Sequence, residues 1–135
     1  MAEQTVYLTT TGANVPWTVP AWWNSADNEI EMIGGGSGGG AAGGGTGGAY
    51  SKLTNFPATP GATLTYRIGA GGAAGAAGED TWISNTGSAP TDTSEGGLAK
   101  GGGAPSGNTG GTGGTTASGI GDTKYAGGKI GRAHV

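Results

Sequence analysis

Cysteine is absent from this 135-residue chain. That excludes a disulfide scaffold and any thiolate-ligated zinc or iron–sulfur site. Histidine occurs once, as His134, which leaves almost nothing to serve as a general base or an imidazole metal ligand. Charged residues amount to 11%, against roughly 25% in an ordinary soluble domain. The six basic residues, Lys52, Arg67, Lys100, Lys124, Lys129 and Arg132, stand singly and are outnumbered by nine acidic ones, for a net charge of −3. Nucleic-acid binders carry a basic patch or stripe, so no nucleic-acid partner is expected. No apolar run approaches the about 18 residues of a membrane-spanning helix, and no membrane insertion is expected. The start, Met1-Ala2-Glu3-Gln4, lacks the basic-then-apolar order of a secretory leader, which predicts synthesis in a host cytoplasm and release by lysis. Nor does any segment carry a convincing helical period.

Glycine fills the space these absences leave. It supplies 34 of the 135 residues, where roughly 7% is usual. Only Gly12 precedes Gly34, and three of the four tryptophans lie in that first part. From Gly34 onward, glycine-rich tracts at 34–48, 69–78 and 101–115 alternate with short strand-like segments. We read residues 1–135 as a single glycine-rich β domain with the two kinds of segment interleaved.

Alternation marks the strands. Thr5–Thr9 places Val6 and Leu8 on one face, and Asn28–Ile33 turns Ile30 and Met32 inward while Glu29 and Glu31 face water. Thr63–Ile68 is the cleanest, with Leu64, Tyr66 and Ile68 on one face. Tyr50–Phe56, Asp80–Ser84 and Thr123–Ala126 complete the expected set, and Pro57-Ala58-Thr59-Pro60-Gly61 carries turn chemistry. The predicted fold class is all-β: a small β-sandwich, jelly-roll-like, with the glycine-rich tracts forming a polyglycine II bundle.

The bundle follows from a register of three. Gly69, Gly72, Gly75 and Gly78 recur at every third position. In 101–115 one phase is a nearly bare spine (Gly101, Ala104, Gly107, Gly110, Gly113), and another is a hydroxyl stripe (Ser106, Thr109, Thr112, Thr115, following Gly103). Ser37 and Thr46 share a phase in 34–48. Three residues complete a turn of polyproline II geometry, which has no internal hydrogen bonds. Glycine also loses more freedom on ordering than any other residue. Such a tract orders only if neighbouring tracts satisfy its N–H and C=O groups; otherwise it is a flexible linker.

Motifs of catalysis fall short. Gly35-Gly36-Ser37-Gly38-Gly39 matches G-x-S-x-G in letters but lacks the strand–turn–helix setting and an associated histidine and acid. Asp27, Glu29 and Glu31 read as solvated edge charges, which also discourage aggregation, and Asp92 and Glu95 lack the spacing of a metal loop. No catalytic residue, metal or cofactor is expected. Trp17, Trp22, Trp23 and Trp82 are candidates either for the core, since each brings a large apolar area, or for an aromatic surface patch that stacks sugars or adheres.

The ordered series Trp17-Thr18-Val19-Pro20, Trp23-Asn24-Ser25-Ala26, Ile30-Glu31-Met32-Ile33-Gly34-Gly35-Gly36, Gly48-Ala49-Tyr50-Ser51-Lys52, Thr59-Pro60-Gly61-Ala62 and Tyr66-Arg67-Ile68-Gly69-Ala70-Gly71-Gly72 resembles the glycine-rich domain proteins of bacteriophages and prophages, often encoded among tail genes. The resemblance spans most of Val6 to Gly128. It implies a virion structural or tail-tip protein, and an adhesin that binds a receptor is within its range. Residues 130–135, Ile130-Gly131-Arg132-Ala133-His134-Val135, resemble the translation of a common short-read sequencing adapter. That implies a metagenomic reading frame truncated at its C-terminus and a tail, with its histidine, that is not native.

These readings converge on a non-enzymatic structural or adhesive virion component. Its partners would be other copies of itself, other virion proteins, or a glycan or protein of the host surface. Two alternatives stand beside it. An ice-binding protein would use the stripe Ser106, Thr109, Thr112 and Thr115, spaced at roughly 9 Å along a polyproline II axis. A self-assembling fibre subunit would use the glycine spines and an open sheet edge.

Overall fold

A computed structural model describes residues 3–129; the tail at 130–135 lies outside them. Seven strands occur in the order β1 (Gly12–Thr18), β2 (Glu29–Ile33), β3 (Tyr50–Thr54), β4 (Thr63–Ile68), β5 (Thr81–Ser84), β6 (Gly96–Ala99) and β7 (Thr123–Tyr125), with no helix among the described residues. They form two antiparallel sheets, β1-β4-β5-β6 and β2-β3-β7, which pack as a small β-sandwich. The alternation expected of β2 and β4 holds. Met32, Leu64 and Tyr66 are buried, Ile30 and Ile68 pack against the core, and Glu29 and Glu31 are exposed.

Two strands depart from the expectation. Thr5–Thr9 is not a strand: the segment has no main-chain partner, and the first sheet begins instead at Gly12. β1 contains Pro16, which a central strand would not tolerate, but it lies at the edge of its sheet, where the missing N–H has no ladder bond to make. β6 is Gly-Gly-Leu-Ala, poor in β-formers, yet all four residues are buried. A Cβ on Gly97 would collide with Met32 and Leu53, so the bare backbone is what lets the second sheet settle onto β6.

The core consists of Val19, Met32, Leu53, Phe56, Ala58, Leu64, Tyr66, Ile83 and Ala99. Gly61, at φ +84°, makes the turn into β4, where the Pro57–Gly61 turn chemistry was expected. One flank of the sandwich is laced shut. Ile120 exchanges two main-chain hydrogen bonds with Leu98 of β6, at 2.8 and 2.9 Å. Two residues on, the Asp122 N–H donates to Lys52 O of β3, and the Asp122 carboxylate accepts the Thr54 N–H, each at 2.8 Å. The opposite flank, between β2 and the β1–β4 side, carries no such crossing and opens as a groove of about 1120 Å³.

All glycine tracts leave the sandwich at one end, the end where β2, β4 and β6 finish and β3 and β5 begin. Each tract is an out-and-back hairpin. Residues 34–40 go out and 43–49 return, 69–73 go out and 76–80 return, and 100–105 go out and 109–115 return. Gly75 (φ +74°) and Gly107 (φ +55°) supply left-handed turns at two of the tips. At the root, Lys100 pairs with Asp80 at 2.6 Å, and the second Asp80 oxygen accepts the Gly101 N–H at 2.8 Å. Beside it Arg67 pairs with Glu79 at 2.6 Å, and this guanidinium holds the Glu79 carboxyl below its ordinary range.

Candidate functional site

The legs are joined by main-chain hydrogen bonds at intervals of three residues. Gly34, Ser37 and Gly40 donate to Ala49, Thr46 and Gly43 at 2.9, 2.8 and 2.8 Å. The next phase of the same leg, Gly35 and Gly38, donates to Glu79 and Ala76 at 2.8 and 3.0 Å. The third phase, Gly36 and Gly39, accepts from Gly72 and Gly75 at 2.8 and 2.9 Å. Gly35 O also accepts from Gly102 at 2.8 Å, so one leg addresses four neighbours by turns, whereas residues of a β-ladder alternate in twos. The same step recurs where Gly111 and Gly114 donate to Gly44 and Gly47 at 3.4 and 3.0 Å. Bare backbone is required at these contacts: a Cβ on Gly48 would overlap the main chain of Gly34.

Ser37 and Thr46, the two hydroxyls of the first tract, meet between its legs. Their oxygens lie 3.0 Å apart, and Ser37 Oγ accepts the Thr46 N–H at 2.9 Å. Thr46 Oγ1 also reaches Gly103 O and Thr112 O, each at 3.3 Å, and its residue is 4% exposed. The hydroxyl of the G-x-S-x-G string is therefore engaged in tying its leg to the returning one, while Thr46 links that returning leg to three others.

The stripe Ser106, Thr109, Thr112 and Thr115 is exposed throughout but is not one straight row. The chain reverses inside it, and Ser106 and Thr109 exchange main-chain hydrogen bonds across the turn at 3.0 and 2.9 Å. Thr109, Thr112 and Thr115 share the returning leg and face out, while Gly110, Gly111, Gly113 and Gly114 between them are buried.

The tryptophans differ in burial. Trp82 is 6% exposed in β5. Trp17 and Trp23 are half-buried against the core and meet edge to face at 6.0 Å, a favoured geometry for aromatic pairs. Trp17 lies opposite Leu64, near the start of β4, so this pair sits at the end of the sandwich away from the legs. Trp22 is 42% exposed and does not join them. No stacked array assembles from the four, but all of them line the groove on the open flank. Asp27, Glu29 and Glu31 do not converge either: Glu29 pairs with Lys52 at 3.0 Å, and Glu31 accepts the Tyr50 hydroxyl at 2.7 Å. That hydrogen bond, with burial and the nearby carboxylates, pushes the Tyr50 phenol up to about 12. Among the described residues no group of acidic and histidine side chains is arranged to hold a metal ion.

The hairpin geometry gathers the tips, a grouping the tract phases did not reveal. Gly75 N–H reaches Gly39 O at 2.9 Å, and Gly40 and Gly43 lie against Pro105. Ala41, Ala73, Ala74, Gly75, Ser106, Gly107, Asn108 and Thr109 are all exposed there. The readable signal was Ser106-Gly107-Asn108, a turn string set inside the stripe. Comparison with curated proteins and with solved structures gave no significant match. A family model described as a glycine-rich domain matches residues 9–134, which takes in both sheets and every leg. The chain belongs to the glycine-rich domain family.

Proposed function

We propose that this protein is a non-enzymatic structural or adhesive component of a phage virion, of tail type, made in the host cytoplasm and released by lysis. In this reading the β-sandwich is a mount, the glycine legs form a polyglycine II bundle, and the clustered tips make contact with a host-surface glycan or protein. The observation that carries it is the three-residue hydrogen-bond step joining each leg to several others. That step equals one turn of polyproline II geometry, and it holds three loop tips at a fixed distance from the core. A stiff spacer with a small, neutral end suits attachment better than chemistry.

Two measurements test the reading. Amide exchange should show protection across 34–49 and 109–115 well above coil rates; coil-rate exchange there would remove the bundle. Labelled protein should bind bacterial cells saturably, and Asn108→Arg at the exposed tip should cut that binding at least tenfold with an unchanged melt. Binding indifferent to the tip would defeat the adhesive reading.

A second reading, ice binding, is favoured by the outward row Thr109, Thr112 and Thr115 on one leg. It predicts thermal hysteresis that Thr112→Lys abolishes, and no hysteresis at millimolar protein would eliminate it.

A further inference from the structure

The groove on the open flank has two kinds of wall. One is the exposed edge of β2. The bonds Gly34 N–H to Ala49 O and Asn55 N–H to Asn28 O set the phase of the β2–β3 ladder. Residues 28, 30, 32 and 34 exchange bonds with β3, so the N–H and C=O groups of Glu29, Glu31 and Ile33 point away from it. β2 ends its sheet, and among the described residues nothing pairs with those groups. The other wall is the segment Glu3–Thr9. Its alternation is that of a strand and Leu8 packs against the core, yet it makes no main-chain hydrogen bond with the described residues. Val6 is 46% and Tyr7 84% exposed. It is tethered at Gly12 to the outer edge of the first sheet, and from there it reaches the groove without pairing with β2. The indole Nε1 of Trp23, which also lines the groove, is buried without a hydrogen-bond partner.

We propose that the β2 edge takes the segment Gln4–Thr9 of a second copy of this chain as an added strand, the two copies exchanging segments reciprocally. Charge selects the occupant. Pairing β2 with another β2 would bring Glu29 and Glu31 against their own kind, which opposes association. Gln4–Thr9 has no charge, and it places Thr5, Tyr7 and Thr9 hydroxyls on the face shared with Glu29 and Glu31. Val6 and Leu8 then continue the inward row of Ile30 and Met32. Main-chain bonds supply the affinity and the alternate side chains the register, as in other cases of strand addition. The inference rests on the structural-component reading for copies meeting one another. Tip adhesion and edge pairing are read on different surfaces, so failure of either leaves the other measurable.

The test exploits the lack of cysteine. Tyr7→Cys and Glu31→Cys variants, prepared separately and mixed in equal amounts under mild oxidation, should yield a covalent heterodimer well in excess of the twofold ratio to either homodimer that random pairing gives. Sedimentation should give a concentration-dependent dimer, and Glu31→Pro should weaken it at least tenfold. That change removes one outward N–H without touching the ladder to β3, and an unchanged melt would show the sandwich intact. If Glu31→Pro lowers the melt, the cysteine mixture alone decides. The proposal is overturned by a monomer at all concentrations, by no excess of the mixed disulfide, or by a Tyr7→Cys/Glu31→Cys double variant that closes within one chain and stays monomeric.

Discussion

Replacing Gly48 with alanine tests whether the legs are packed or merely adjacent. The added methyl would overlap the main chain of Gly34, and backbone cannot turn aside as a side chain can. The returning leg must lift, which breaks the bond from Gly34 N–H to Ala49 O and strains that from Ala49 N–H to Lys100 O, now 2.9 and 2.8 Å. Leaving a buried polar group unpaired costs about 1–3 kcal/mol. Gly34 N–H and Ala49 O are both buried, so two such groups are left, and restricting the unfolded chain returns about 0.4–1 kcal/mol; a net loss of about 1–5 kcal/mol is expected. For a chain of this length that corresponds to a Tm about 4–18 °C lower. The control is the preceding residue. A methyl on Gly47 would meet only ordinary contact, 3.4 Å from Gly128 N, and Gly47→Ala should be within about 0.5 kcal/mol of wild type. Urea unfolding of the three proteins reads both values. Equal stability of the two variants, or a Gly48→Ala loss below about 0.5 kcal/mol, would refute close packing of the legs.

Other perturbations follow the same geometry. Thr46→Val keeps the shape but strips the hydroxyl that ties three legs, and should cost about 1–3 kcal/mol in the same unfolding assay. Trp82→Ala should cost about 3–5 kcal/mol as a buried aromatic, while Trp22→Ala, at a position 42% exposed, should change stability by less than about 0.5 kcal/mol. In alkali Tyr50, held neutral to about 12 by Glu31, should titrate late. A phenol raised in the folded state contributes stability below its ordinary value of 10.0 and loses it as pH climbs through the raised one. A titration followed by ultraviolet absorbance should show this, and Glu31→Gln should bring the late tyrosine back toward its ordinary range.

The strands that the sequence displayed were those whose side chains do the packing. Leu64, Tyr66 and Met32 had to alternate because each fills the core, and β2 and β4 were legible for that reason. β6 was not, because its contribution is the absence of a side chain at Gly97, which a reading based on apolar residues passes over. Thr5–Thr9 misled in the opposite direction: its pattern is a strand's, but pattern does not supply a partner. The glycine phases carried real information about spacing, since Ser37 and Thr46 do meet. They hid the reversals at Gly75 and Gly107, because glycine serves equally in a straight leg and in a left-handed turn. Where the tips gather depends on which hairpins lie side by side, and no local run of residues encodes that.

The step of three between hydrogen-bonded legs also governs how such a chain can change length. In the polyglycine II bundle proposed above, adding one residue within 34–40 would rotate every later position in that leg by about 120° at three residues per turn. Donors aimed at Thr46 and Ala76 would then face other neighbours, and side chains would swing into gaps fit only for backbone. Insertions or deletions inside a leg are therefore tolerable in triplets, matched by an equal change on the leg beside it. The reversals at 41–42, 73–75 and 106–108 obey no such rule. Relatives with longer or altered tips would retain the same shaft, and that is where divergence in sequence can accumulate without dismantling the fold.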